Sequence, residues 1–151
     1  MRKLFVVLGV VFAVLLLAFG AFVGYAAYTG SRLDASSKAY VDANVPPIIG
    51  TWSSAELLKR ASPELRKVVS DEELSRLFKK LSQMGALIKC EEAKGDSNVS
   101  FTPAEGKVIT ASYETKATFE KGPATIKIRL IQEKGQWMLL KFYVDSPFFL
   151  K

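Results

Sequence analysis

From residue 4 to residue 28 the chain runs through 25 consecutive residues without a charge, an amide or a proline. Wound as a helix, that run measures about 37 Å, against roughly 30 Å of bilayer hydrocarbon. Residues 1–28 are therefore predicted to be a single transmembrane anchor. Removing them leaves 123 of the 151 residues, the usual size of one compact domain. Met1-Arg2-Lys3 ahead of an apolar run also suits a signal peptide, and Gly24-Tyr25-Ala26 is a small-x-small triplet. Signal peptides have an apolar core of only about 7 to 15 residues, so the length favours a retained anchor.

The flanks set an orientation. Arg2 and Lys3 precede the span, and positive charge stays cytoplasmic. Tyr25 and Tyr28 lie where the outer headgroup region would begin, a location that tyrosine rings favour. The expected location is the cell inner membrane, single-pass, with a cytoplasmic N-terminus and a periplasmic C-terminal domain. No cysteine falls in the first 30 residues and no glutamate in the apolar segment, so neither a lipoprotein-type acylation site nor a pilin-like leader is expected. Gly20 and Gly24 form a small-xxx-small pair, a candidate surface for transmembrane helix pairing.

Beyond the span, setting aside Arg2 and Lys3 leaves 19 of the 21 basic residues against 15 acidic ones, a net charge near +4. Cys90 is the only cysteine, so no disulfide can form within the chain. Histidine is absent, which removes the commonest catalytic base and the commonest metal ligand. No cofactor is expected.

Residues 31–44 read as a helix: Leu33, Tyr40 and Val41 share a face, and Asp34 with Lys38 makes a favourable i, i+4 pair. Val45-Pro46-Pro47 should end it, because a proline disfavours helical geometry in the residue before it. Residues 29–50 are thus expected to be a juxtamembrane helix and a Pro-Pro linker that belong to the domain, and residues 51–151 its α+β body. Ser53 with Glu56 has capping-box spacing and opens a helix through Arg60. Ser62-Pro63 opens a short one reaching Val69. Ser70 with Glu73 opens a third over residues 71–84, closed by Gly85, with Leu74, Leu77, Phe78, Leu81 and Met84 on one face.

After Gly85 the hydrophobic period falls from 3.6 to 2. Residues 86–94 and 98–102 are expected to be two strands joined across Gly95-Asp96. Over residues 107–121, Ile109, Ala111, Tyr113, Ala117 and Phe119 alternate with polar positions. Across Gly122-Pro123 the alternation resumes with Ala124, Ile126, Ile128 and Leu130, and Glu133-Lys134-Gly135 turns the chain into residues 136–145. Short helices ahead of successive hairpins predict an α+β fold, with the helices on one face of a curved antiparallel β-meander. The core should join Leu74, Leu77, Phe78 and Leu81 to Ile109, Ala111, Tyr113, Ile126, Ile128, Leu140 and Phe142. In the last strand Met138, Leu140, Phe142 and Val144 make one apolar row, while Trp137, Leu139 and Tyr143 make a second, interrupted by Lys141.

An N-terminal helix, short capped helices and a long meander closing on Trp137-Met138-Leu140-Phe142-Val144 resemble the cone-shaped α+β fold of the nuclear transport factor two-like superfamily. The resemblance covers residues 31–151. Small membrane-anchored bacterial proteins of unassigned function are similar, including the segment Ala61-Ser62-Pro63-Glu64-Leu65. Inner-membrane core subunits of type IV secretion systems share the architecture, with a longer cytoplasmic tail than the three residues here. A cystatin-like single helix on a sheet is the fold-level alternative.

Enzymes of that superfamily use an aspartate or a histidine inside the cone. The inward-phased polar residue here is Tyr113, and a core tyrosine reaching a backbone carbonyl is the simpler role for it. Cys90 precedes Glu91 and Glu92, whose charges disfavour a thiolate. There is no phosphate-binding glycine loop, metal-ligand cluster or nucleophile–base pair, so the chain is not expected to be an enzyme. Basic residues from Lys59 to Lys80 alternate with acids that the helix dipoles place at helix starts, which explains them without nucleic acid. Two function classes remain. The first is a membrane-tethered interaction module, an accessory or assembly subunit that docks on another envelope protein or on itself through Ile131, Trp137, Leu139 and Tyr143. The second is a binder of a small apolar ligand in a cone lined by Tyr113, Phe119, Ile128 and Phe142.

Overall fold

The computed structural model describes residues 1–150. The chain divides into two compact units, Met1–Leu33 and the remainder from Asp34, and helix α1 (Arg2–Thr51) contributes to both. In the first unit every side chain from Leu4 to Tyr28 is exposed. This helix is long and apolar enough to cross a membrane.

The second unit is α+β. After α1 come α2 (Ser54–Arg60), α3 (Pro63–Val68), α4 (Asp71–Leu81) and a 3-10 turn, Ser82–Met84. Five strands follow: β1 (Leu87–Cys90), β2 (Lys94–Thr102), β3 (Gly106–Phe119), β4 (Gly122–Glu133) and β5 (Gln136–Asp145). Every strand pairing is antiparallel and the sheet is open, with β1 and β2 both on β3, then β4, then β5. The helix starts follow the sequence signals. Ser62 Oγ accepts from Leu65 N and Ser70 Oγ from Glu73 N, each at 3.2 Å. Ser53 occupies its N-cap position without a side-chain cap bond. Gly85 takes φ +87°, a left-handed value that a side chain disfavours.

Three expectations need correction. The Pro46-Pro47 segment is not a linker, because α1 runs through both prolines to Thr51. Each proline costs about 3 kcal/mol inside a helix. Val45, Ile48 and Ile49, on the same last turns, are at most 1% exposed. Burying three such side chains returns roughly 1.5–3 kcal/mol apiece, a sum of the same order as the cost of the two prolines that it offsets. The central core helix is thus the second half of α1, with Val41, Val45, Ile48 and Ile49 buried, and α4 joins it through Leu74, Phe78 and Leu81. Leu77 is not a core residue: it is 50% exposed, at the margin of the α4 face.

The third correction concerns β1 and β2, which do not form a hairpin. They lie in succession along one edge of β3, Cys90 opposite Ala117 and Lys94 opposite Glu114. Gly95-Asp96 is inside β2, paired with Tyr113 and Ser112. Glycine is required there by close approach, since a Cβ on Gly95 would sit 1.9 Å from the Ser112 carbonyl oxygen. The outer edge of β2 is covered by carboxylates of α1. Asp42 Oδ1 accepts from Ala93 N at 3.0 Å, and Asp34 Oδ1 accepts from Ser97 N at 2.8 Å and from the Ser97 hydroxyl. An edge capped in this way cannot recruit another strand at those positions.

Candidate interaction face

Alternation along β3 and β4 decides which side chains meet the helices. Ala111, Tyr113, Thr115, Ala117 and Phe119 on β3 and Ala124, Ile126, Ile128 and Leu130 on β4 are buried. Their neighbours Ser112, Glu114, Lys127 and Arg129 are exposed on the opposite, outer face. Strand β5 follows this phase only in part. Phe142 pairs with Ile128 and Lys141 with Arg129, but Leu130 then pairs with Leu139, so Leu140 is an extra residue in a β-bulge. A one-residue insertion exchanges the two faces of the strand beyond it.

The four-residue patch expected from strict alternation is therefore not one surface. Trp137, 9% exposed, and Leu139, 1% exposed, lie on the inner side, and Trp137 Nε1 donates to Ser36 Oγ on α1 at 3.0 Å. Ile131 and Tyr143 remain outside, and Met138, opposite Ile131, takes the place assigned to Leu139. A signal for the bulge was present in the sequence: Lys141 and Asp145 share their spacing with Trp137 and Leu139, so charges and core residues fall in one phase. Only an inserted residue reconciles the two sets.

The outer face carries no helix. Across β2 to β5 one rung reads Lys94, Glu114, Lys127, Tyr143, and the next Asp96, Ser112, Arg129, Lys141. Between these rungs lies an open depression of about 370 Å³ that includes Lys94, Glu114, Lys127, Arg129, Lys141 and Tyr143. The Tyr143 ring is 58% exposed. Ion pairs among the described residues involve only Lys38 and Arg60 as cations, so the four cations of the depression are unpaired. The face therefore offers an aromatic platform beside four cations and one carboxylate, Glu114, a cluster of net positive charge.

Of the expected cone residues, Tyr113 and Ile128 both border the outer depression. Phe119 is buried, its ring stacked on Trp52 at 5.6 Å between centroids. Tyr113 donates to the Asp34 carbonyl at 3.0 Å and shares a 2.8 Å hydrogen bond with Ser37 Oγ. Burial raises its phenol pKa, so it stays neutral in this role. Phe142 instead borders a separate apolar groove of about 200 Å³ with Leu57, Leu65, Leu74, Leu77 and Phe78. In the first unit, Gly20 and Gly24 have open space where a Cβ would stand.

Cys90 is a free, half-buried thiol 3.7 Å from Thr115 Oγ1. No group of three or more potential metal ligands occurs among the described residues. A pair of acids was not legible in the sequence: Glu64, at the start of α3, faces Glu133, at the end of β4. Burial, then the neighbouring Glu64 carboxylate, raise the pKa of Glu133. Glu64 is held low, chiefly by its own backbone N–H at the helix start, so Glu133 takes up the proton first. No protein family, characterised protein or solved structure matches the chain.

Proposed function

We propose that this chain is a membrane-tethered, extracytoplasmic interaction module, an accessory or assembly subunit of an envelope complex, and that it docks through the outer face of its sheet. The observation that carries the proposal is the one-sided cover of that sheet: the helices bury the inner face and leave four unpaired cations around an exposed tyrosine on the other. Charge complementarity suits a partner segment bearing carboxylates, with Tyr143 as the aromatic anchor. Retention of the anchor supports the same function, because confinement to one membrane raises the effective concentration of any partner also held there. The order of elements keeps the kinship with the nuclear transport factor two-like superfamily as part of this proposal. The proposed topology, N-terminus inside and domain outside, rests on Arg2 and Lys3.

The test uses the full chain in mild detergent, with Tyr143→Ser and Lys141→Glu together. Loss of co-purifying partner or of self-association, with an unchanged unfolding midpoint, is the expected result. Retained association at unchanged stability would remove the outer face from the function. A reporter that works only in the cytoplasm, active when fused after Lys151, would overturn the topology.

A second reading is favoured by the apolar groove between the short helices and Phe142, which is large enough for a small apolar ligand. Saturable binding of an environment-sensitive apolar dye, lost in Leu77→Asp, would favour it over the outer face.

A further inference from the structure

The hairpin formed by β2 and β3 ends in an apolar tip that the domain itself does not cover. Phe101 is 75% exposed and Val99 38%. Both share the inner-face phase with Ile109, opposite Val99, so they extend the core's apolar row beyond the end of the core. The connecting residues Pro103 and Ala104 are uncharged, and the only charges from Val99 to Ile109 are Glu105 and Lys107, which cancel.

The end of the domain on which this tip lies follows from two carboxylates. Asp42 on α1 binds the backbone of Ala93, and Asp34, two turns closer to the N-terminus, binds that of Ser97. Moving along α1 toward its N-terminus thus means moving along β2 toward the hairpin tip. The tip projects beyond Asp34, at the end where the chain enters the domain. Phe101 is four strand steps beyond Ser97, an advance of about 13 Å. Tyr28, the last residue of the apolar run, and Asp34 are six residue steps apart. These span about 9 Å as helix and never more than about 20 Å even when extended.

We infer that the β2–β3 hairpin tip, through Phe101 and Val99, inserts into the headgroup and upper acyl region of the same bilayer that the N-terminal helix spans. The reach of the tip is comparable with the gap that the chain leaves between domain and bilayer, and headgroups occupy about 5–7 Å on each side of the hydrocarbon. Phenylalanine and valine side chains gain from leaving water, and one acid and one base leave the tip without net charge and so without a preference for anionic lipid. The inference rests on residues 1–28 spanning the membrane.

The full chain is reconstituted in phosphatidylcholine vesicles with and without bromine on the acyl chains, which quenches tryptophan only at short range. Three variants each add one reporter to the background of Trp52 and Trp137: Phe101→Trp, Tyr28→Trp and, at the far end of β3, Lys121→Trp. Phe101→Trp should lose emission in brominated vesicles to an extent comparable with Tyr28→Trp, with a blue-shifted maximum. The effect should be insensitive to salt, while Lys121→Trp stays unquenched. Quenching at Tyr28→Trp but not at Phe101→Trp would overturn the hairpin inference and leave the span intact. Absence of quenching at Tyr28→Trp would overturn the span itself. A Phe101→Trp reporter shielded from both bromolipid and aqueous acrylamide would show the tip folded on its own chain, and the inference would again fail.

Discussion

The bulge at Leu140 makes a prediction that an unbroken strand would reverse. Leu139→Ala removes three carbons from a side chain that is 1% exposed and opposite Leu130 on the inner face. At about 0.8 kcal/mol for each buried methylene-sized group, the transfer loss is roughly 2.4 kcal/mol. The cavity left behind adds to it, since large-to-alanine changes in cores cost about 2–5 kcal/mol in total. Tyr143→Ala, four residues on, removes a ring that is 58% exposed and outward, so its cost should stay near 0.5 kcal/mol, as for most surface changes. Urea unfolding of the full chain in detergent, followed by tryptophan emission, measures both. Equal slopes with a lower midpoint for Leu139→Ala would locate the loss in the folded state. If Tyr143→Ala costs more than Leu139→Ala, the strand has no phase change and the outer face has been assigned to the wrong residues.

Other outcomes follow from single contacts. Gly95→Ala should be among the most damaging substitutions in the domain, because its Cβ meets backbone at Ser112 and Tyr113; amide exchange should rise along β2 and the facing part of β3. Trp52 stacks on Phe119 while its buried indole N–H has no hydrogen-bond partner among the described residues, so Trp52→Phe should fall within about 1 kcal/mol of the parent in a melting experiment. The Glu64–Glu133 pair gives a dependence on pH with a definite sign. Glu133 has a raised folded pKa, so its contribution to stability is present at acid pH and is lost as pH rises through that value. Glu133→Gln should therefore raise the melting temperature at pH 7, and the gain over the parent should shrink as pH falls toward the ordinary glutamate range.

Much of this molecule is a direct consequence of local sequence. The apolar run, the serine caps at Ser62 and Ser70, the stop at Gly85 and the alternation along β3 and β4 depend on neighbours a few residues apart, and each was legible without a fold. Tertiary structure decided what local rules leave open or rule differently. Burial of Val45, Ile48 and Ile49 overrode two prolines and made α1 the core helix. Pairing of both β1 and β2 with β3 placed Gly95 inside a strand, where its lack of a side chain serves close approach and not a turn. One extra residue at position 140 moved Trp137 and Leu139 from the surface to the interior and left Tyr143 outside. The reason is common to all three. Propensities and periods are worth a few tenths of a kcal/mol to a few kcal/mol at each position, whereas the burial they compete with is summed over several side chains at once and is settled only when the layers meet.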